Sequence, residues 1–389
     1  MRIIIVIVYF PRYEEGMTNM TKKDFLSNLD NDKICEDIIV CLKKSKLPLV
    51  LWGCGDVADA VYKYLFLNNI MISQIWVDGD TEMNNFYGFK PRPIKEILEI
   101  YDKFNVILGH SHYEKGESIK DMYTQINNVY YVFSIHYEQY DKVPYEEIER
   151  NVERFINLYD RLADNKSRDN LITYLNTKLT GNVKYIIDKY SEEMSFFDND
   201  VYKLTSYETF LDIGAYNGDT VRDFLNVTNY QYKKILMVEP DIINYIELNK
   251  FLASQHLHDV VPSMVGAWNC TKELEFNTGN EQISSINTGD SILKDSDKSI
   301  IYVSPLDDLF GKEEISIIKI NYFEGVLEAL QGCKNIICKN IPKIAVCVGF
   351  DIYNVLKVAE FLFSLQLGYK IYLRFNRAMS STFTLYAVV

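Results

Sequence analysis

The chain has no apolar run long enough to cross a bilayer. Its longest uninterrupted one, IIIVIVYF after Met1 and Arg2, is eight residues, against the roughly 20 that a transmembrane helix needs. The same stretch lacks the small-residue cleavage site of a secretory signal. It reads as a peripheral strand, or as a leader upstream of a start at Met17. There is no C-x-x-C pair either. The seven cysteines (Cys35, Cys41, Cys54, Cys270, Cys333, Cys338 and Cys347) are odd in number and scattered, which argues against a disulfide framework and against a structural zinc site. A reducing, cytoplasmic setting fits. Histidine is scarce, and the pairs His110/His112 and His256/His258 have no convergent carboxylate motif, so no metal site is expected. Positive charge is in deficit: 41 Lys and Arg against 54 Asp and Glu leave a net charge of -13, which disfavours nucleic acid and anionic membranes as partners. No low-complexity tract and no repeat of solenoid period occurs.

What is present is apolar material in quantity. With 389 residues, 48% of them hydrophobic, the chain can bury large cores and is expected to form two α/β domains. After a leader and helical segment (residues 1–45), LPLVLWGCGDVADAVYKYLFLNN is strand, glycine loop and helix. ISQIWVDGD, FNVILGH and VYYVFSIH are further strand-like runs. This βαβ series predicts a small parallel sheet over residues 46–142. Between residues 143 and 206 the spacing turns helical, with Ile148, Val152, Phe155, Tyr159 and Leu162, then Leu171, Leu175 and Leu179. That stretch is expected to connect the two α/β units. From residue 207 to 389 seven more runs (FLDIGA, KILMVEP, VVPSMVGAW, ISIIKIN, KIAVCVGF, YKIYLRF and TFTLYAVV) predict a second doubly wound sheet, seven-stranded and mostly parallel. Its last two strands form a hairpin, and the polar stretch from Glu273 to Val303 is a ribbon or loop insertion.

In a doubly wound sheet, ligands sit beyond the carboxyl ends of the strands, at the switch point. FLDIGAYNGDTVRDFL lies there. Gly214 and Gly218 would let backbone approach a ligand, and the following helix offers unpaired N–H groups. Glu239 ends the next strand about 20 residues on, where a carboxylate can accept both hydroxyls of a ribose. The loop is D-x-G-A-x-x-G-D rather than G-x-G-x-x-G, so a pyrophosphate is the poorer fit. Asp212 suits a ligand whose tail carries an ammonium and a sulfonium, as S-adenosylmethionine does.

At these residues the chain resembles the FkbM-type methyltransferase family. The likeness runs from about Ser195 to Val389, through FLDIGAYNGDTV, VEPD, VGAWN...ELEF, SSI, SPLDDLF and IKI...LEALQG. It implies a class I methyltransferase fold, S-adenosylmethionine as donor, and methylation of a hydroxyl on a sugar, glycan precursor or other metabolite. By position, Asp212, Gly214, Ala215, Asn217 and Gly218 would hold the methionine portion and Glu239 the ribose. The family stretch resembling I-K-x-D-x-E-G-x-E reads K-I-N-Y-F-E-G here. A one-residue slip restores Glu324-Gly325, yet Asn321 stands where the aspartate would be. An amide can orient an acceptor but cannot act as a general base near neutral pH. Glu324 is then the nearby carboxylate, unless Asp307 or Asp308 reaches in. A donor-binding protein with weakened turnover is the alternative expectation.

The first sheet has its own glycine loop. Gly53-Cys54-Gly55-Asp56-Val57-Ala58 opens a helix, with alanine at the third glycine position, and Asp78 ends the next strand. The spacing would suit NAD or a nucleotide-sugar, and a ligand-free structural module fits as well. No Tyr-x-x-x-Lys pair accompanies it, so hydride transfer is not expected.

Overall fold

The protein is described by a computed structural model over residues 20–30, 38–79, 85–110, 113–131, 143–180, 184–187, 189–190, 195–278, 285–286, 297–322, 324–376 and 382–389. IIIVIVYF, His112, His136, Ser284 and Phe323 lie outside them. In the first sheet, β1 (Leu49–Trp52), β2 (Gln74–Val77), β3 (Arg92–Pro93), β4 (Phe104–Leu108) and β5 (Ile126–Tyr130) run in the order β3-β2-β1-β4-β5, all parallel. Successive side chains of a strand point to opposite faces. Leu49, Leu51, Ile75 and Val77 therefore pack with Ala58, Val61 and Leu65 of helix Asp56–Leu67, and Val50, Trp52, Trp76 and Val106 pack on the other side with Ile97 and Ile119. Helices on both faces make the sheet doubly wound. β3 is a strand that the sequence reading did not anticipate. It is two residues long and half proline, which cannot donate to a ladder and so belongs at a sheet edge.

The second sheet draws a strand from each of the seven expected runs. β6 (Thr209–Ile213), β7 (Lys234–Val238), β8 (Val260–Ser263), β13 (Ile317–Ile320), β14 (Lys343–Cys347), β15 (Lys370–Phe375) and β16 (Phe383–Val388) take the order β15-β16-β14-β13-β6-β7-β8. Only β16 runs antiparallel, to β14 and to β15, the latter as the expected hairpin partner. Chain order reverses beside β6, between β7 and β13, and this places the switch point there.

One expectation is corrected. VVPSMVGAW is not one strand. It turns after Ser263, whose carbonyl accepts the Val265 amide at 3.1 Å, and resumes as β9 (Gly266–Ala267) in another sheet. That four-stranded sheet, β11-β10-β12-β9, also holds β10 (Lys272–Thr278), β11 (Ser285–Ile286) and β12 (Asp297–Ser304), with β10 and β12 paired antiparallel among the described residues of the expected insertion. The helical stretch after residue 143 also packs against a sheet. Helix Asn165–Thr180 lies on the second sheet, where the Asn170 amide donates to the Leu373 carbonyl at 2.9 Å and Tyr174 stacks on Phe383 at 4.4 Å. The leader contributes to the same layer: helix Lys22–Ser27, capped by Thr21, buries Phe25 against Phe155 and Tyr159.

The core is divided by the second sheet. Leu211, Ile213, Leu236, Ile318, Ile320 and Val346 face the helical layer. Phe210, Ile235, Ile317, Ala345 and Tyr386 face helices Asp219–Val227 and Ile242–Ser254 together with the segment Phe196–Phe197. By the alternation along β6 and β13, Asp212 and Lys319 fall on this second face.

Candidate functional site

At the carboxyl end of β6 the chain makes three left-handed residues in five: Gly214 at φ 74°, Tyr216 at 50° and Gly218 at 83°. The turn is tied down by the Gly214 and Ala215 amides, both donating to the Val238 carbonyl at 3.0 and 3.1 Å. A Cβ on Gly214 would stand 2.6 Å from the Asn321 carbonyl oxygen, and one on Gly218 would stand 2.5 Å from the Phe251 ring. Each glycine lets protein approach protein, and so seats the loop between β13 and helix Ile242–Ser254. Ala215 is buried, and the Asn217 carbonyl accepts from Arg222 at 3.1 Å. Asn217 also borders an open groove of about 550 Å³ that includes Arg222, Glu247 and Lys250. Asp212, Glu239, Asn321 and Glu324 do not line it.

Glu239, 5% exposed, grips the loop. One oxygen accepts the Tyr216 amide at 2.8 Å and the other the Asp241 amide at 3.0 Å. Burial pushes its carboxyl up to about 7, against the pull of those amides. Asp212 has a partner that sequence reasoning missed. Its Oδ1 accepts from Lys319 Nζ at 2.7 Å, with both side chains at most 1% exposed, and the same ammonium donates to the Gly214 carbonyl at 2.8 Å. Burial pushes the Asp212 carboxyl up to about 6, and Lys319 opposes it. Asp212 Oδ2 is buried with no hydrogen-bond partner among the described residues. A ligand cation would satisfy it, so the residues present fit an amino-acid tail at this point.

Beyond β13, Asn321 is exposed, while its backbone amide donates to the Ile213 carbonyl at 3.1 Å. Tyr322 donates to the Ala267 carbonyl at 3.2 Å. Glu324 is half-buried just before Gly325, the left-handed residue that opens helix Val326–Gly332. The Trp268 ring lies so close to Gly325 that a Cβ there would be 2.2 Å away, and thus VGAW is packed against the start of this helix. Asp307 is engaged elsewhere: it accepts the Asn335 and Ile336 amides at 2.9 and 2.8 Å and caps helix Lys334–Asn340. Asp212, the Gly214 loop and Glu239 are thus assembled beside the end of β13 that carries Asn321.

The residues singled out in the first sheet divide. Gly53 sits at φ 126°, where a Cβ would meet the Gly109 carbonyl oxygen at 2.7 Å, so its requirement is packing. Gly55, ahead of helix Asp56–Leu67, has no atom within 4 Å of a built Cβ. Asp78 is exposed and accepts from Trp52 Nε1 at 3.1 Å.

No protein-family model matches the chain, and no curated protein does. Among solved structures, methyltransferase FkbM from Methylobacillus flagellatus KT aligns with a TM-score of 0.63 at 18% identity, over 94% of this chain and 98% of that one. A SAM-dependent methyltransferase from Aquifex aeolicus aligns at 11% identity over 53% of this chain and 97% of its own, with a TM-score of 0.29. An rRNA methylase from Streptococcus thermophilus aligns at 13% over 48% and 88%, also at 0.29. The last two are too distant to carry an argument. By the first, together with the strand order and switch-point loop described above, the chain has the fold of methyltransferase FkbM.

Proposed function

We propose that the chain is an S-adenosylmethionine-dependent O-methyltransferase acting on a hydroxyl of a sugar, glycan precursor or related metabolite. The observation that carries this reading is the pair of buried carboxylates on either side of one switch-point loop, Asp212 with an unpartnered oxygen and Glu239 bound to the loop itself. Bound there, the donor supplies a methyl group carried on a sulfonium. Asp212 Oδ2 would take the ammonium of the donor. Glu239, which holds the loop through the Tyr216 and Asp241 amides, would accept a ribose hydroxyl. On the acceptor side Glu324 would take the hydroxyl proton and Asn321 would orient the hydroxyl. Asn321, an amide that cannot act as a general base, favours a second reading, a donor-binding protein whose turnover is weakened.

Titration calorimetry with S-adenosylhomocysteine tests the donor site. Micromolar affinity is expected, about -8 kcal/mol at 1 μM. Glu239→Ala should weaken it by about tenfold or more, since each charge-assisted hydrogen bond lost is worth roughly 1.5–3 kcal/mol. Absence of binding to the unaltered protein, or equal affinity in Glu239→Ala, refutes the assignment.

A further inference from the structure

Strand β13 carries one charge, Lys319, at a place where burial on both faces otherwise selects isoleucine. A buried ammonium persists only with partners, and the register supplies them: Lys319 lies directly beside Asp212 on β6. Its Nζ reaches Asp212 Oδ1 at 2.7 Å and the Gly214 carbonyl at 2.8 Å. The Phe196 ring covers the same ammonium, with its centroid 5.5 Å from Nζ. That ring is held in place at some cost, because Phe196 has φ 69°, a left-handed conformation that a bulky residue rarely adopts. Two tyrosines bracket its peptide: the Phe196 amide donates to the Tyr386 hydroxyl at 3.2 Å, and its carbonyl accepts from the Tyr202 hydroxyl.

Resting on the donor site proposed above, we infer that Lys319 is a positioning residue for the amino-acid end of the donor. By pairing with one oxygen of Asp212 and fixing the Gly214 carbonyl, it keeps Asp212 ionised, and the other oxygen stays charged for the donor's ammonium. The charged groups acting on Asp212 are Lys319 from β13, which favours the carboxylate, and Asp219 from the helix after the loop, which disfavours it. Without Lys319, burial and Asp219 act together to neutralise Asp212, and a neutral carboxyl has no charge to offer an ammonium. Lys319 therefore acts through Asp212.

The test compares two nucleosides by calorimetry: S-adenosylhomocysteine, which carries the amino-acid tail, and 5′-methylthioadenosine, which lacks it. The unaltered protein should prefer the first by about tenfold or more, as a charge-assisted contact warrants. Lys319→Met and Asp212→Asn should each abolish that preference while keeping the affinity for methylthioadenosine. Lys319→Arg should retain part of it. The double variant Lys319→Met/Asp212→Asn removes both charges together, so it serves where a single variant fails to fold, and it should lose no more than either alone. A full preference in Lys319→Met, or losses that add in the double variant, would overturn the role of Lys319. Binding of neither nucleoside to the unaltered protein would instead overturn the donor site on which this inference rests.

Discussion

Gly214→Ala probes the contact that sets the loop. The backbone at Gly214 has φ 74°, and holding an L-residue there costs about 1–2 kcal/mol. The new methyl would also stand 2.6 Å from the Asn321 carbonyl oxygen and 2.8 Å from the Tyr322 ring. Neither neighbour retreats easily. The Asn321 amide is bonded to Ile213, and the Tyr322 hydroxyl is anchored on the Ala267 carbonyl. Overpacking of this kind adds about 1–3 kcal/mol, for a total of about 2–5 kcal/mol. Against a stability of about 5–15 kcal/mol the protein still folds, and the damage is local. Native-state hydrogen exchange at the β6 and β13 amides resolves it: their opening free energies should fall by that amount. Affinity for S-adenosylhomocysteine should fall too, because the Gly214 carbonyl is an acceptor for Lys319. Gly55→Ala is the control. With φ -92° and nothing within 4 Å of the added methyl, it should change stability by no more than about 1 kcal/mol. A Gly214→Ala protein whose β6 exchange lies within about 0.5 kcal/mol of the unaltered one, the range of an ordinary surface substitution, would refute the packing account.

Two more outcomes follow from the same geometry. Although burial opposes it, hydrogen bonds from Arg374 and Ser167 hold the Asp164 carboxyl down to about 2. A carboxylate with a depressed folded pKa contributes stability above its unfolded value of about 4 and loses it as pH falls towards 2. Thermal unfolding followed from pH 7 downwards should therefore show a falling melting temperature that Asp164→Asn flattens, and parallel curves for the two proteins would contradict the pairing. On the acceptor side, Glu324→Gln should slow methyl transfer by about 10²- to 10⁴-fold, and Asn321→Asp should raise it. Robust transfer that survives the first change and ignores the second would place the base elsewhere.

The fold was legible wherever burial leaves a pattern. β1, and β7 after Lys234, are buried throughout, and such strands read as unbroken apolar runs. The break after Ser263 left no such trace. VVPSMVGAW is mostly apolar on both sides of a change of sheet, and Pro262 and Ser263, just before the turn closed by the Val265 amide, were too weak a mark to divide it. β3 was invisible for the opposite reason, being too short to carry a period. Glycines were visible as glycines, but their neighbours were not. Gly53 answers to Gly109 and Gly214 to Asn321, and spacing within a loop says nothing about contacts so far along the chain.

Lys319 is different, since its partner could have been deduced. In ISIIKIN it is a lone charge in a run apolar enough for a central strand, and a buried ammonium requires an acceptor at its own height in the sheet. In a parallel sheet that acceptor must come from a neighbouring strand. FLDIGA opens the switch-point loop of the same sheet, and the strand order makes β6 that neighbour. FLDIGA holds one charged residue, Asp212, and two strands that end at the same edge bring the two charges level. The ion pair spans 107 residues of chain. It was nonetheless implied by two short runs, once the charge inside each was treated as a demand on the other.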